Sequence, residues 1–294
     1  MFQSDLLAGK RILVTGGGTG LGRAIAEKYL ALGAEIHICG RRETVLRDTA
    51  AELMAARAGG VVHAHAVDIR DADAVDGMVE GIFADHGPLT GLVNNAAGNF
   101  VSRTEDLSPR GFNAISDIVM RGTFYVTHAV GRRWIAAGLP GSVVSIVVTW
   151  VFNAGPYVVP SAMSKSAVQA LTRSLAVEWG GYGIRLNAIA PGVFPTEGAS
   201  ARLAPGEGMA WRADDNPMRR VGEIHELQNL ATFLMADGVD WLTGQVIAID
   251  GGNWLANGGN FFAYRSRTGD DWQRMREDIK ARNEKDKASR SASA

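Results

Sequence analysis

The alternation of short apolar runs with longer helical patterns most constrains the fold of this chain. Over the first 190 residues, each run is short enough for one buried strand and most are followed by a helical pattern. Repeated β–α units of this kind predict an α/β doubly wound parallel sheet with helices on both faces. The predicted strands are 11–15, 36–39, 61–67, 92–93, 143–148, 184–189 and 245–249, and the predicted helices are 19–32, 43–57, 72–83 and 161–179.

The composition limits the classes of protein to which the chain can belong. Lys and Arg number 30 against 31 Asp and Glu, a balance that argues against a protein that binds nucleic acid or a membrane surface. No run of about 18 uncharged apolar residues occurs, so we expect no membrane span. The single cysteine, Cys39, excludes an intrachain disulfide and a zinc site of two or four cysteines. We expect a cytoplasmic protein without a targeting segment and without a metal.

The predicted domain covers residues 1–254, and a tail follows at 255–294. The tail contains a polar helical pattern with one thin apolar stripe, formed by Trp272, Met275 and Ile279. Such a stripe fits either a solvated helix or a helix packed on a neighbouring subunit. Inside the domain, the Pro- and Gly-interrupted stretch 195–220 is too long for an ordinary connection and predicts a lid or binding loop.

A glycine-rich turn follows the first predicted strand and opens the first helix. Gly16, Gly20 and Gly22 follow the spacing G-x-x-x-G-x-G, and a strand–turn–helix context is typical of dinucleotide binding. Glycines let the backbone approach a pyrophosphate, while the helix N-terminus supplies N–H donors and positive partial charge. The sequence thus predicts a Rossmann-type cofactor site that includes Gly16, Gly18, Thr19, Gly20, Leu21 and Gly22.

The end of the second strand indicates which cofactor is preferred. An acidic residue there would bind a ribose 2′-OH, whereas arginine can pair with a 2′-phosphate. This strand ends in Arg41 and Arg42, and no acid lies between Glu35 and Glu43. Two solvated arginines are the alternative, but a helix N-terminus is an unfavourable place for unpaired cations. We therefore expect NADP(H).

These motifs resemble the short-chain dehydrogenase/reductase family over about residues 8–254. Thr15 precedes the glycine motif, and the segment 94–98 matches the family's Asn-Asn-Ala-Gly with one extra alanine. The resemblance implies a homotetramer in which Asp68 and Ile69 contact the adenine. It also implies cofactor contacts from Asn95, Ala96, Ala97, Gly98, Pro191, Gly192 and Phe194.

The family's catalytic signature is incomplete in this chain. The family carries Tyr-x-x-x-Lys on a helix and a serine on the preceding strand. Lys165 fits the lysine, but Ser161 stands in the tyrosine position and Val148 in the serine position. A ketone reductase of the usual kind would therefore lack its proton donor.

Longer segments resemble one subgroup of the family, the 2,4-dienoyl-CoA reductases. The resemblance implies an acyl-CoA substrate, a conjugated dienoyl thioester that is reduced with NADPH during unsaturated fatty acid oxidation. It implies that Lys165 holds the nicotinamide ribose, that Ser161 forms a hydrogen bond in the site and that Asn99 stabilises the enolate oxygen. Phe100 and Arg202 match positions that contact substrate. The matching segments are 94–100, 117–119, 158–162, 191–192, 196–199 and 202–203.

The residue in place of the subgroup's catalytic tyrosine leaves three functions open. That position, fifteen residues before Lys165, is Trp150, whose indole N–H can donate a hydrogen bond but cannot act as an acid. Tyr157 could supply the acid or could pack in the substrate wall. The chain is then an enoyl or dienoyl thioester reductase, a carbonyl reductase or alcohol dehydrogenase that uses Tyr157, or a nucleotide-binding pseudoenzyme subunit.

Overall fold

Seven parallel strands form one sheet in the order β3-β2-β1-β4-β5-β6-β7. The computed structural model describes residues 1–196, 216–256, 264, 266–278 and 284. Each strand pairs in parallel with its neighbours, as the β–α alternation predicts. The strands are β1 (Arg11–Thr15), β2 (Glu35–Gly40), β3 (Val62–Ala66), β4 (Gly91–Asn94), β5 (Gly141–Ile146), β6 (Ile184–Pro191) and β7 (Val246–Ile249).

Helices connect these strands and cover both faces of the sheet. They are α1 (Gly20–Ala31), α2 (Glu43–Ala56), α3 (Ala72–Asp85), α4 (Pro109–Ser116), α5 (Thr123–Ala137), α6 (Val159–Trp179), α7 (Ile224–Met235) and the short α8 (Asn253–Ala256). A π-helical segment, Asp117–Gly122, joins α4 to α5, and short 3₁₀ turns lie at Thr104–Asp106, Thr149–Val151 and Gly180–Tyr182.

The alternation of side chains along the strands divides the core between two layers. In β1, Ile12 and Val14 pack with α1, α2 and α7, whereas Leu13 packs on the opposite face with α3, α5 and α6. Apolar side chains are needed on both faces because helices bury both. The carboxyl ends of the strands lie along one edge, where an open parallel sheet binds its ligands.

The structure confirms the predicted fold class but shifts one strand. We predicted 143–148, and β5 instead runs from Gly141 to Ile146. The apolar run extends further because Val147 is buried among residues of α6 and β6 after the strand has ended. The other predicted elements also agree to within two residues at each end, and helices α4, α5, α7 and α8 were not predicted.

The chain divides into two compact units, Met1–Trp254 and Leu255–Ala294. In the second unit, residues 269–278 are helical. There Trp272 makes an edge contact with Tyr264, and the Arg267 guanidinium lies 4.1 Å from the centre of the Tyr264 ring. Arg267 also donates a hydrogen bond of 3.3 Å to Met275 Sδ, so Trp272 and Met275 of the predicted stripe both contact the short segment before the helix. Ile279 lies outside the described residues.

Among the described residues, the structure contains no helix long and apolar enough to span a bilayer. The cytoplasmic location stays a prediction.

Candidate active site

The glycine-rich turn between β1 and α1 is shaped by positions that exclude a side chain. Gly16 and Gly20 adopt positive φ, at +65° and +57°. A Cβ on Gly17 would lie 2.5 Å from Cγ2 of Ile38, and a Cβ on Gly22 would lie 2.5 Å from the Gly16 carbonyl oxygen. The turn can therefore pack against β2 and start the helix only with glycine, which leaves its backbone open to a ligand.

Thr15 and Asn95 form hydrogen bonds that join the end of β1 to the end of β4 beside this turn. The Thr15 hydroxyl accepts hydrogen bonds from the backbone N–H groups of Asn95 and Ala96, both at 3.0 Å. In return, the Asn95 amide Nδ2 donates to the carbonyls of Thr15 at 3.0 Å and Gly16 at 3.3 Å. The predicted segment 95–98 is thereby brought next to the glycine turn.

The two arginines after β2 lie at the start of α2 with exposed side chains. Arg42 is the N-cap residue of the helix and makes no side-chain capping bond. Nearby ion pairs in the described part of the chain are formed by other arginines, Arg23 with Glu52 and Arg47 with Glu43. Arg41 and Arg42 thus present positive charge at the carboxyl edge of the sheet.

Asp68 and Ile69 lie beside these arginines, after β3. Hydrogen bonds from Arg70 hold the pKa of the Asp68 carboxyl below its usual value, and the positive charge of Arg41 contributes to the same shift. The Ile69 side chain is buried, and it packs against Gly122 so closely that a Cβ there would lie 2.7 Å away. Asp68 is therefore held by Arg70 and Ile69 by its packing against Gly122, which fixes the pair predicted to contact the adenine.

The segment after β6 approaches the glycine turn from the other half of the sheet. Gly192 donates a backbone hydrogen bond of 3.0 Å to Ile249 and leaves no space for a Cβ, which would lie 2.6 Å from that of Asp250. Thr196 lies opposite Gly20, 3.9 Å from a Cβ placed there. Phe194 is buried and lines a cavity of about 280 Å³. Arg202, a predicted substrate contact, lies outside the described residues.

Ser161 and Lys165 lie one turn apart on α6, and both are buried. Lys165 is 7% exposed, and its Nζ donates a hydrogen bond to the Ile146 carbonyl at the end of β5. Burial lowers the pKa of this lysine to about 8, because the ammonium form loses hydration. Lys165 therefore places an amino group at the carboxyl edge of the sheet, with a pKa only slightly above neutral pH.

The loop after β4 places Asn99 and Phe100 beside the segment that leads into α6. The Asn99 Oδ1 accepts a hydrogen bond of 2.9 Å from the backbone of Phe100, which leaves its Nδ2 as the available donor. Ser102 donates a 2.9 Å backbone hydrogen bond to the carbonyl of Tyr157. The Tyr157 side chain is 59% exposed, and its φ is +63°, a rare conformation for tyrosine.

Trp150 lies in the 3₁₀ turn that follows β5. Its indole ring packs against Gly155, where an added Cβ would be 3.0 Å from Cδ2. Gly155 thus allows the indole to lie close to the chain ahead of α6. The structure brings the glycine turn, residues 95–100, Trp150 and the start of α6 to the same edge of the sheet.

A family model described as enoyl-(acyl carrier protein) reductase matches residues 16–253 of the chain. A Caenorhabditis elegans protein named probable 2,4-dienoyl-CoA reductase 3, (3E)-enoyl-CoA-producing, is 40% identical over 98% of this chain and 94% of its own length. A Bacillus subtilis protein named probable 2,4-dienoyl-CoA reductase, (2E)-enoyl-CoA-producing, is 39% identical over 84% of this chain and 97% of its own.

The chain belongs to the short-chain dehydrogenase/reductase family. The fold agrees, because the crystal structure of a Burkholderia cenocepacia gluconate 5-dehydrogenase with NADP and tartrate matches with a TM-score of 0.79. That enzyme is 30% identical and covers 85% of this chain and 97% of its own. As a short-chain dehydrogenase/reductase, the protein is an oxidoreductase that uses a nicotinamide cofactor.

The geometry of this short-chain dehydrogenase/reductase fits that cofactor. The side-chain-free surface over Gly16 and Gly22 is what a pyrophosphate needs for close approach. Three further residues that shape the site, Thr15, Gly17 and Thr196, were not assigned a contact in it from the sequence, although Thr15 precedes the glycine motif and Thr196 lies in a matching segment. Thr15 could have been assigned to the site from the sequence, because it is a polar residue at the end of an apolar strand. The contact between Thr196 and Gly20 is set by the tertiary fold and has no local signal.

Proposed function

We propose that the protein is an NADP(H)-dependent reductase of conjugated enoyl or dienoyl thioesters. The observation that carries the proposal is the buried pair Ser161 and Lys165 at the start of α6, because Ser161 and Val148 stand where a carbonyl reductase of this family needs its acid and its serine. The names of the C. elegans and B. subtilis relatives support the same substrate class.

The residues of this chain meet the requirements of thioester reduction. When bound, the cofactor supplies a hydride to a remote carbon of the conjugated system. Negative charge then collects on the thioester oxygen, where hydrogen-bond donors in a fixed position stabilise it. Asn99 Nδ2 and the Trp150 indole N–H are the donors assigned to this oxygen, and the Lys165 ammonium orients the nicotinamide ribose.

The missing acid matters less for a thioester than for a ketone. Reduction of a ketone produces an alkoxide whose oxygen must receive a proton, which requires a general acid. Reduction of a conjugated thioester produces an enolate that needs stabilisation at oxygen, while water can protonate carbon afterwards. Trp150 can stabilise charge but has no proton to give at neutral pH.

A substrate panel tests the proposal directly. NADPH oxidation is measured with a 2,4-dienoyl-CoA, a 2-enoyl-CoA, simple ketones and a keto-sugar acid, and the position of the remaining double bond is determined. We expect turnover with the thioesters, and the dienoyl-CoA should be preferred. Turnover with ketones alone would contradict the proposal and favour a carbonyl reductase. NADPH binding without turnover on the whole panel would favour a pseudoenzyme.

Two aromatic variants locate the donor. Trp150→Phe keeps the bulk and removes the N–H, so we expect kcat on the dienoyl substrate to fall by up to about 10²-fold. Trp241→Phe is the matched control, because that indole is fully exposed. If Tyr157→Phe abolishes turnover while Trp150→Phe is neutral, Tyr157 is the donor and the carbonyl-reductase alternative gains support.

The proposal includes a homo-oligomer, with a tetramer as the family resemblance implies. An apolar groove of about 500 Å³ runs between α5, α6 and the π-helical segment, with Met120, Phe124 and Leu171 in its lining. Met120 and Phe124 are 40% and 47% exposed in the single chain. A second copy that presents the same face would cover them across a two-fold axis.

A further inference from the structure

Four of the six histidines in the chain lie together with one glutamate near the amino end of the sheet. Glu35 and His37 project from one face of β2, and His63 and His65 from the same face of β3, because alternate residues of a strand share a face. The register places His37 beside His63. His86 joins them from the C-terminal end of α3.

The side chains of this histidine cluster are in direct contact. The rings of His63 and His86 lie 4.0 Å apart between centroids, and those of His37 and His63 lie 4.6 Å apart. Oε1 of Glu35 is 3.3 Å from Nε2 of His63. One ligand atom each from Glu35, His63 and His86 can be chosen so that all three lie within 4.8 Å of one another.

We propose that Glu35, His63 and His86 form a binding site for a divalent transition metal of the zinc type. Two imidazoles and a carboxylate are a ligand set that zinc accepts, with bonds of about 2.0–2.2 Å and a water in the fourth position. When two ligand atoms bind one zinc ion tetrahedrally at that bond length, they lie about 3.3 Å from each other. Glu35 Oε1 and His63 Nε2 are separated by the same distance, 3.3 Å. All three side chains are only half-buried, so an ion can reach them from solvent.

Surrounding groups orient the carboxylate of Glu35 for this role. Arg11 Nη2 donates to Oε2 at 2.8 Å, which leaves Oε1 facing the rings. His65 Nε2 and His37 Nδ1 are 2.9 Å apart, and His37 Nε2 is 3.3 Å from the same Oε1. A chain of hydrogen bonds from His65 through His37 to Glu35 is the kind of outer shell that fixes metal ligands.

The neutral ring of His63 needs only a change of tautomer to act as a ligand. Its proton moves to Nδ1, and the lone pair on Nε2 then faces the metal, so no net charge is lost. Without metal, the same contacts act as a hydrogen-bonded stack of rings.

The site is separate from the cofactor site. Glu35 begins β2 and Gly40 ends it, so five residues, or about 16 Å, separate the metal from the carboxyl edge of the sheet. A metal there would link β2, the edge strand β3 and the end of α3. Its expected role is therefore to stabilise this side of the sheet, independently of the substrate proposed above.

Zinc binding is tested on metal-free, tag-free protein by calorimetric titration with ZnCl₂. We expect one zinc ion per chain and a rise in melting temperature with zinc, because a ligand that binds the folded state stabilises it. His63→Gln and His86→Gln should each weaken zinc binding by about tenfold or more, since even outer-shell losses have effects of this size. His225→Gln removes an exposed histidine outside the cluster and should bind zinc as the wild type does.

A second measurement covers variants that fold poorly. Co²⁺ replaces zinc and reports on its ligands through visible d–d absorption, which should be that of a four-coordinate site in the wild type and in His225→Gln. Circular dichroism confirms that each variant is folded. The proposal is overturned if the wild type shows no saturable zinc binding, if Co²⁺ stays six-coordinate, or if folded His63→Gln and His86→Gln bind zinc as tightly as the wild type. In each of those cases the rings and Glu35 serve only as a hydrogen-bond network.

Discussion

At the scale of single residues, we expect the burial of Lys165 to make cofactor affinity depend on pH. Its pKa is lowered to about 8, so it is mostly charged below pH 8 and loses its proton as the pH rises through that value. If the ammonium holds the ribose, the dissociation constant for NADP⁺ should rise above pH 8, by at most about tenfold per pH unit. Fluorescence titration between pH 6.5 and 9.5 measures this profile.

Two variants separate Lys165 from other groups that titrate in the same range. Lys165→Met should bind NADP⁺ more weakly at pH 7 and should lose the step near pH 8. Lys28→Met, in the last turn of α1, should keep the wild-type profile. A flat wild-type profile, or an unchanged step in Lys165→Met, would show that the ammonium does not contact the cofactor.

We expect Arg41 and Arg42 to determine which cofactor the site prefers. Their exposed guanidinium groups can form charge-assisted hydrogen bonds to a 2′-phosphate, which NAD(H) lacks. We expect NADPH to bind at least about tenfold more tightly than NADH, equivalent to ~1.4 kcal/mol. Arg41→Ala should remove most of this difference, whereas Arg47→Ala, whose partner is Glu43, should leave it unchanged. Equal dissociation constants for the two cofactors in the wild type would contradict the assignment.

Single residues also show where prediction from sequence stops. The positions of the glycines follow from local spacing, because a strand–turn–helix places them at the edge of the sheet, whereas Lys165 follows from the resemblance to the family's catalytic signature. The histidine cluster could not be predicted, since His37 and His63 become neighbours only through the register of β2 and β3. His86 reaches them from the end of α3, which no periodicity in the sequence encodes.

At the scale of elements, α1 depends on a glycine that cannot carry a side chain. A Cβ on Gly22 would lie 2.3 Å from Asn95 Nδ2 and 2.5 Å from the Gly16 carbonyl. Because backbone cannot yield cheaply, Gly22→Ala should lower the free energy of unfolding by about 2 kcal/mol, within the usual range for overpacking. It should also weaken NADP⁺ binding, since the displaced atoms belong to the glycine turn.

A glycine in α3 provides the matched control. Gly77 is exposed in the middle of that helix, and a Cβ there would meet nothing within 4 Å. Gly77→Ala should therefore raise the free energy of unfolding by about 0.5–1 kcal/mol, because alanine favours helix over glycine. Urea unfolding of both variants tests the pair, and similar losses in both would mean that the turn can relax around Gly22.

The elements also differ in how clearly the sequence specifies them. β1 and α1 are predictable because a short apolar strand meets an unmistakable turn. The end of β5 is not, because Val147 and Val148 continue the apolar run while the chain already leaves the sheet. In α5, β-branched and aromatic residues such as Val126, Thr127 and Trp134 are buried against the sheet. Their packing outweighs a weak helix propensity, so the helix does not stand out from its composition.

At the scale of the whole molecule, the groove between α5 and α6 predicts how copies of the chain assemble. Phe124 is 47% exposed on α5 and stacks on His128, so an apolar ring faces solvent beside the groove in the single chain. Full burial of an exposed phenylalanine gains about 1.5–3 kcal/mol, so burial of the remaining half of this ring against a second copy gains roughly 1 kcal/mol per chain. Phe124→Arg places a charge there instead, and both copies meet it at a two-fold interface. We therefore expect light scattering to show a smaller mass for Phe124→Arg than for the wild type.

The matched control is Val177→Arg, which changes a residue of α6 that is 87% exposed and outside the groove lining. This variant should keep the wild-type mass. If Phe124→Arg keeps the wild-type assembly while Val177→Arg dissociates it, the subunits meet through the face of α6 that carries Val177.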